Sequence, residues 1–297
     1  MKKYVLLITV FLTVLISLNG CIVVFNDGND TKEDVKEVFA PEEDDSGDEQ
    51  SSDSVEALGD ESREPSEQMP PYEGNPHNFV NKTGEGEILS PDGTVLATYD
   101  YSYPVFECNE GDDKEYVEAI NKMFRDNAME LVSSTESERQ ALIEQYEYLA
   151  QNNWSWFGPY DYRYGYEIHL DAKGILSVTQ TWYSYTGGAH GNARKESHTF
   201  DVVAGRELSL SDLLYGTDAE ITQAFTNEFL KIKDEFFDDP SKIVPEEFPT
   251  AEYYVDADGV TAYFQQYQVG SYASGFVSAT VSDKEMLKYD FSNIQEN

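Results

Sequence analysis

The chain has 297 residues, of which 57 are Asp or Glu against 20 Lys or Arg, giving a net charge of −37. That balance excludes the clustered cations that phosphate binding needs, so a cationic partner is expected rather than nucleic acid, although acidity also serves solubility alone. Two cysteines exclude a disulfide framework, and 21 Tyr, 16 Phe and 3 Trp supply ample apolar material for a core.

Lys2 and Lys3 precede an apolar run from Tyr4 to Leu18, which ends in Leu18-Asn19-Gly20-Cys21. Residues 1–20 therefore read as a lipoprotein signal peptide, with Cys21 as the acylated residue and the anchor in the membrane. The run continues through Phe25, long enough for an uncleaved signal anchor as the alternative. Either anchor places everything after residue 25 outside the cytoplasmic membrane, facing out. Asn26 to Pro71 then carries 17 acidic residues against Lys32, Lys36 and Arg63. With so few large apolar side chains it cannot offset its chain entropy, so residues 21–71 are expected to form an acidic, disordered tether. Subtracting its −14 from −37 leaves about −23, so acidity is not confined to the tether.

The folded part is expected from about Tyr72, divided at residues 72–180 and 181–297. Glu85–Leu89 and Val95–Phe106 read as strands around a Ser-Pro-Asp-Gly turn. Tyr116, Ile120, Met123 and Phe124 recur at helical spacing after a cap at Asp112 or Asp113. A second helix is predicted over Thr135–Asn152, with Ser134 or Thr135 opening a capping box to Glu138. Cys108, left without a partner once Cys21 is acylated, is expected to be small and buried.

Strands follow at Tyr162–Asp171, Ile175–Thr186 and His198–Val203, and the loop between the last two contains Gly187, Gly188, His190 and Gly191. That hairpin tip leaves backbone uncovered around one imidazole, which serves either a partner or simply a tight turn. Ser209 or Ser211 can cap a short turn, and a helix is expected over Ala219–Phe237. Strands at Glu252–Val255, Gly259–Gln265 and Gly275–Val281 complete the chain. Strands joined in hairpins with a few helices, rather than βαβ units, predict an α+β fold: an antiparallel meander with helices on one face.

Three blocks carry a resemblance: YSYTGGAHGN from Tyr183, FDVVAGRELSLSDLLYG from Phe200 and AYFQQYQVGSYASGFVSATV from Ala262. In this order they resemble the extracellular domain of the anti-sigma-V factors that sense lysozyme. The region ahead of them, with Tyr103-Pro104-Val105-Phe106 and the helix holding Ile120 and Asn121, looks like the accessory domain of a peptidoglycan deacetylase of the same group. The resemblance implies a two-part α+β module at the cell surface that grips lysozyme. No stretch here corresponds to a sigma-binding segment or a deacetylase domain, so signalling to a sigma factor is not expected of this chain, and the partner need not be shared.

No catalytic constellation is evident: His77, His169, His190 and His198 fit no HExxH, elbow or Cys–His pattern. No cofactor or metal is expected, although His190 and His198 flank the hairpin as possible ligands and Glu167 with Asp171 as a possible carboxylate pair. The aromatics say more. Trp154, Trp156, Tyr160, Tyr162, Tyr164, Tyr166, Trp182, Tyr183 and Tyr185 form one cluster; Tyr263, Phe264, Tyr267 and Tyr272 form another. Rigid rings suit binding hot spots and sugar stacking, and equally suit a sheet core. Tyr162, Tyr164 and Tyr166 must share one face, so they are jointly core or jointly exposed. The expected contact residues are Tyr183, Tyr185, Gly187, Gly188, His190, Tyr263, Phe264, Tyr267 and Tyr272. The expected function is a non-catalytic surface protein that captures a cationic, lysozyme-like protein. The alternatives are a peptidoglycan-binding module and, behind it, a wall hydrolase or deacetylase.

Overall fold

The structure, a computed structural model, describes residues 76–156 and 158–289. The expected signal segment, Cys21 and the whole of the expected tether lie outside them.

Alternation of large and small residues makes β1 (Phe79–Leu89) and β2 (Val95–Phe106) an antiparallel hairpin over the Ser90–Gly93 turn. Asp113 then caps α1 (Lys114–Ser137) by accepting from the Tyr116 amide. The capping box expected at Ser134 or Thr135 does not form, because α1 runs through both and α2 (Arg139–Gln151) begins only after Glu138. The two helices return the chain to its starting end, so β3 (Tyr160–Ala172) lies parallel to β2. This one crossover departs from the expected run of hairpins and places α1 and α2 over one face. Antiparallel β4 (Ile175–Tyr185), β5 (Asn192–Asp201) and β6 (Arg206–Glu207) follow, giving a six-stranded sheet in sequence order. The expected division between residues 180 and 181 falls inside β4, and the change of sheet comes after β6.

Helix α3 (Leu210–Leu213) and helix α4 (Asp218–Phe229) each start with a capping box, from Ser209 to Asp212 and from Thr217 to Glu220. A 3-10 segment (Leu230–Glu235) follows, then α5 (Pro240–Glu247), which the sequence reading did not anticipate. Strands β7 (Glu252–Val255), β8 (Val260–Tyr263) and β9 (Ser278–Val281) form a second antiparallel sheet. The fold is α+β.

Two faces of the first sheet bury different cores. Under α1, Val117, Ile120 and Phe124 meet Leu176, Val178 and Phe200. Tyr164 is buried against Ala128 and Leu131, and Tyr162 and Tyr166 are partly buried on the same covered face, so the three tyrosines are jointly inward. A register shift between Ile168 and Leu170 then turns β3 over: Ile168 opposes Val178, whereas Leu170 opposes Ser177 and enters the second core. There Leu170, Ala172 and Ile175 pack with Phe225, Phe229 and Phe264. Burying these rings contributes about 3–5 kcal/mol each by the cost of truncating a core Phe to Ala. Cys108 is exposed, contrary to expectation, because the chain leaves β2 there for a surface turn.

The chain enters this fold through a buried clamp. His77 Nδ1 lies 2.6 Å from Asp171 Oδ1 and Nε2 lies 3.0 Å from Asp112 Oδ2, with the ring edge-on to Phe106. Burial opposes charge on the imidazole, but the hydrogen bonds and fields of Asp171 and Asp112 outweigh it and raise the pKa above 6.5. Such a group contributes its full stability below the unfolded value near 6.5 and loses it as pH rises through the folded pKa. The urea midpoint of the full chain should therefore fall as pH is raised above about 6.5, and His77→Gln should flatten that fall. Asp112→Ala, which leaves a buried cation half-paired, should cost about 3 kcal/mol at pH 6.

The outer edge of β5 is closed by side chains. Beyond the short β6, the amides of Ala193, Lys195 and Ser197 donate to Gln266 Oε1 at 3.0 Å, Gln265 Oε1 at 3.1 Å and Glu252 Oε2 at 3.2 Å. Gln265 Nε2 also donates to the Lys195 carbonyl at 2.6 Å, so one amide replaces a missing strand residue. Tyr263 and Ser197 hydroxyls meet at 2.6 Å, and deeper in, the Val255 amide donates to Ser177 Oγ at 2.8 Å. Gln265→Ala should cost about 1–2 kcal/mol in denaturant unfolding, because two strand groups lose their partner. Tyr267→Ala, at a half-exposed side chain, should cost under about 0.5 kcal/mol in the same assay.

Candidate functional site

β5 begins six residues earlier than expected, at Asn192, so the β4–β5 loop is only Thr186–Gly191. Gly187 and Gly188 take φ of 100° and 94°, the left-handed region closed to most side chains. Gly191 answers a different need: a Cβ there would come within 2.5 Å of the Tyr183 ring, which lies across it. The Arg163 guanidinium lies over that ring, 5.6 Å from its centroid. Tyr185 fixes the turn by donating its hydroxyl to the Gly188 carbonyl at 3.0 Å.

The tip leans on the loop between β8 and β9. His190 stacks on Tyr272 with centroids 3.6 Å apart and planes at 14°, and its Nε2 lies 3.0 Å from the Tyr267 hydroxyl. Its Nδ1 lies 3.0 Å from the Gly191 carbonyl, an oxygen that can only accept, so this nitrogen is the donor of that pair. Tyr267 and Tyr272 are themselves 5.8 Å apart, completing a three-ring surface. Tyr267 holds φ of 66° and remains 50% exposed. A non-glycine residue in that region costs about 1–3 kcal/mol, and here the cost keeps a large ring facing solvent. On β5, the Lys195 ammonium sits 5.0 Å from the centroid of the Phe276 ring.

Seven of the nine expected contact residues thus gather at one place: Tyr183, Tyr185, Gly187, Gly188 and His190 from the hairpin, with Tyr267 and Tyr272 from the facing loop. Tyr263 and Phe264 do not, being 1% and 0% exposed. They end a strand covered on both sides, Phe264 packing against Phe229 and Tyr263 reaching Ser197. Lys195, Gln265, Gln266 and Phe276 support the site and carry no sequence signal beyond the aromatic and Gln-rich run FQQYQ.

The other singled-out groups are spent elsewhere. His198 Nδ1 meets Glu207 at 2.8 Å, and His190 is occupied at the tip, so the two do not converge on one point. Asp171 holds His77, whereas Glu167 lies 3.8 Å from His169, so those carboxylates do not face a common space. His169 stacks on Tyr254 at 3.8 Å, and burial lowers its pKa to about 4, which keeps it neutral. Among the described residues no three His, Cys, Asp or Glu are grouped to hold a metal. What the tip offers is rigid aromatic surface and hydrogen-bonding groups.

Residues 92–193 match a family model described as Deacetylase PdaC, and residues 208–284 match one described as Protein of unknown function (DUF3298). The junction between them follows the hairpin tip. No curated protein matches the chain. Among solved structures, a DUF3298 family member from Bacteroides fragilis NCTC 9343 is similar at 16% identity and a TM-score of 0.56, over 74% of this chain and 96% of that one. A DUF3298 family protein from Pseudomonas aeruginosa PAO1 aligns at 14% identity and a TM-score of 0.46, over 73% and 97%. The first likeness shows a shared fold. The chain therefore carries a PdaC-type segment followed by a DUF3298-type segment, joined in one α+β body.

Proposed function

We propose that this chain is a non-catalytic, envelope-facing accessory module that captures a cationic protein, of which lysozyme is the model, on the surface made by His190, Tyr267 and Tyr272. The observation that carries the reading is the stack of His190 on Tyr272 at 3.6 Å, bonded to the half-exposed Tyr267. Rings fixed before binding lose little entropy on contact, which is what a hot spot needs. The PdaC and DUF3298 matches favour an accessory role at the cell wall. The apolar run ending at Cys21 favours a lipid anchor on the outer side of the membrane, and the −37 charge favours electrostatic attraction of a basic partner.

Calorimetric titration of the full chain with lysozyme tests the reading. Saturable binding is expected, weakened as salt rises from about 20 to 150 mM because the attraction is screened. His190→Ala combined with Tyr272→Ala should weaken it by roughly tenfold or more while the thermal midpoint stays close to that of the parent chain. Absence of binding at low salt would overturn the choice of partner, and binding that the double variant leaves unchanged would overturn the choice of surface.

A further inference from the structure

A second recess lies apart from the hairpin tip, between α1 and strands β4 and β5, with a volume near 350 Å³. From α1 it is lined by Asn127, Glu130, Leu131 and Ser134, whose spacing of three and four places them on one helix face. From the sheet it is lined by Trp182, Arg194 and Glu196. Trp182 and Arg194 oppose each other directly across β4 and β5. The indole packs against Tyr164 at 5.2 Å, so its orientation is fixed from behind by a buried ring. Arg194 and Glu196 stand side by side at 2.6 Å, a donor beside an acceptor, and both remain partly exposed.

The chemistry of this lining is mixed. Arg194 and the Asn127 amide can donate; Glu130, Glu196 and the amide oxygen can accept; Ser134 can do both. One cation among two carboxylates matches neither a strong anion nor a strong cation. The volume is at the low end of ligand pockets, about 300–1,000 Å³, which suits one or two small rings. A pyranose has these complementary properties: a C–H face for the indole, hydroxyls that each donate and accept, and no net charge.

Beneath the lining lies a buried polar residue that holds part of it in place. Gln180 is fully buried, and its Oε1 accepts from Asn127 at 2.8 Å and from the Tyr164 hydroxyl, yet its Nε2 has no hydrogen-bond partner. Buried polar groups are nearly always satisfied, so this amide, with one donor unspent, is an unusual residue to find directly behind a recess. Gln180 opposes Glu196, precedes Trp182 by two residues on the same face of β4 and bonds Asn127, so three of its neighbours line the recess.

We propose that the recess between α1 and the β4–β5 hairpin binds a pyranose sugar, stacked on Trp182, with its hydroxyls shared among Asn127, Glu130, Arg194 and Glu196. The site is independent of the tip surface and of the partner bound there.

Saturation-transfer NMR and calorimetry on the full chain, with chitotriose and cellotriose as saccharides and arginine methyl ester as a cationic control, test it. At least one saccharide should bind saturably. Glu130→Ala, at an exposed position, and Trp182→Phe should each weaken that binding by roughly fivefold to tenfold. His190→Ala and Trp154→Ala should leave it unchanged, and Glu130→Ala should leave lysozyme titration unchanged. Silence with both saccharides would overturn the proposal. So would saccharide binding that Glu130→Ala does not weaken, or binding of the arginine ester with both sugars silent.

Discussion

The edge of β5 is the constraint on which the rest of this fold depends. A strand in that position exposes a row of unpaired amides and carbonyls, which sheets must pair, shorten or cover. Here β6 pairs only the last residues, and Glu252 of the second sheet with Gln265 and Gln266 of the loop after β8 supply the remaining partners. Each of those side chains takes a place where a backbone group would sit in a seventh strand. The bonds therefore close the edge and fix the second sheet against the first in one operation. Because β4–β5 and the loop after β8 are locked together here, the hairpin tip and the aromatic loop meet in a defined way a few residues further on.

The bulge at His169 solves a companion problem. A regular β3 would keep Leu170 on the same face as Ile168, under α1. The extra residue turns Leu170 and Ala172 toward the second core and leaves Asp171 to reach back to His77. One irregularity thus feeds both cores and anchors the point at which the chain enters the fold. The PdaC-type and DUF3298-type segments pack on one another across this sheet, since β3 and β4 belong to the first, the strands covering them to the second, and most of β5 lies between the two matches.

Local signals were legible in the sequence wherever local physics decides. The bounds of β2, a helix cap at Asp112 or Asp113, a capped turn at Ser209 or Ser211 and the Gly-rich hairpin tip follow from alternation, capping chemistry and permitted φ, and the structure chooses Asp113 and Ser209. The opening of β5 was not legible: Asn192-Ala-Arg-Lys-Glu-Ser holds no β-branched or aromatic residue, and it is a strand because β4 and two glutamines bond its two edges. The parallel β2–β3 pairing depends on contacts some sixty residues apart, which periodicity does not encode. Asp239-Pro240 did carry a helix-start signal for α5, since Asp caps and Pro favours the first turn. Of the candidate contact residues, Tyr263 and Phe264 misled because an aromatic strand end reads alike whether solvent or a second layer covers it. The Trp182 recess had no sequence signature at all, being assembled from a helix face and two strands.

The central claim is that the tip and the aromatic loop form the contact surface for a cationic protein. The most direct measurement is amide hydrogen exchange across residues 76–289 with and without saturating lysozyme. The account predicts added protection concentrated in 186–191 and 265–275, with β1 and α2 unchanged. Protection centred elsewhere, or none under conditions where binding is complete, would contradict it.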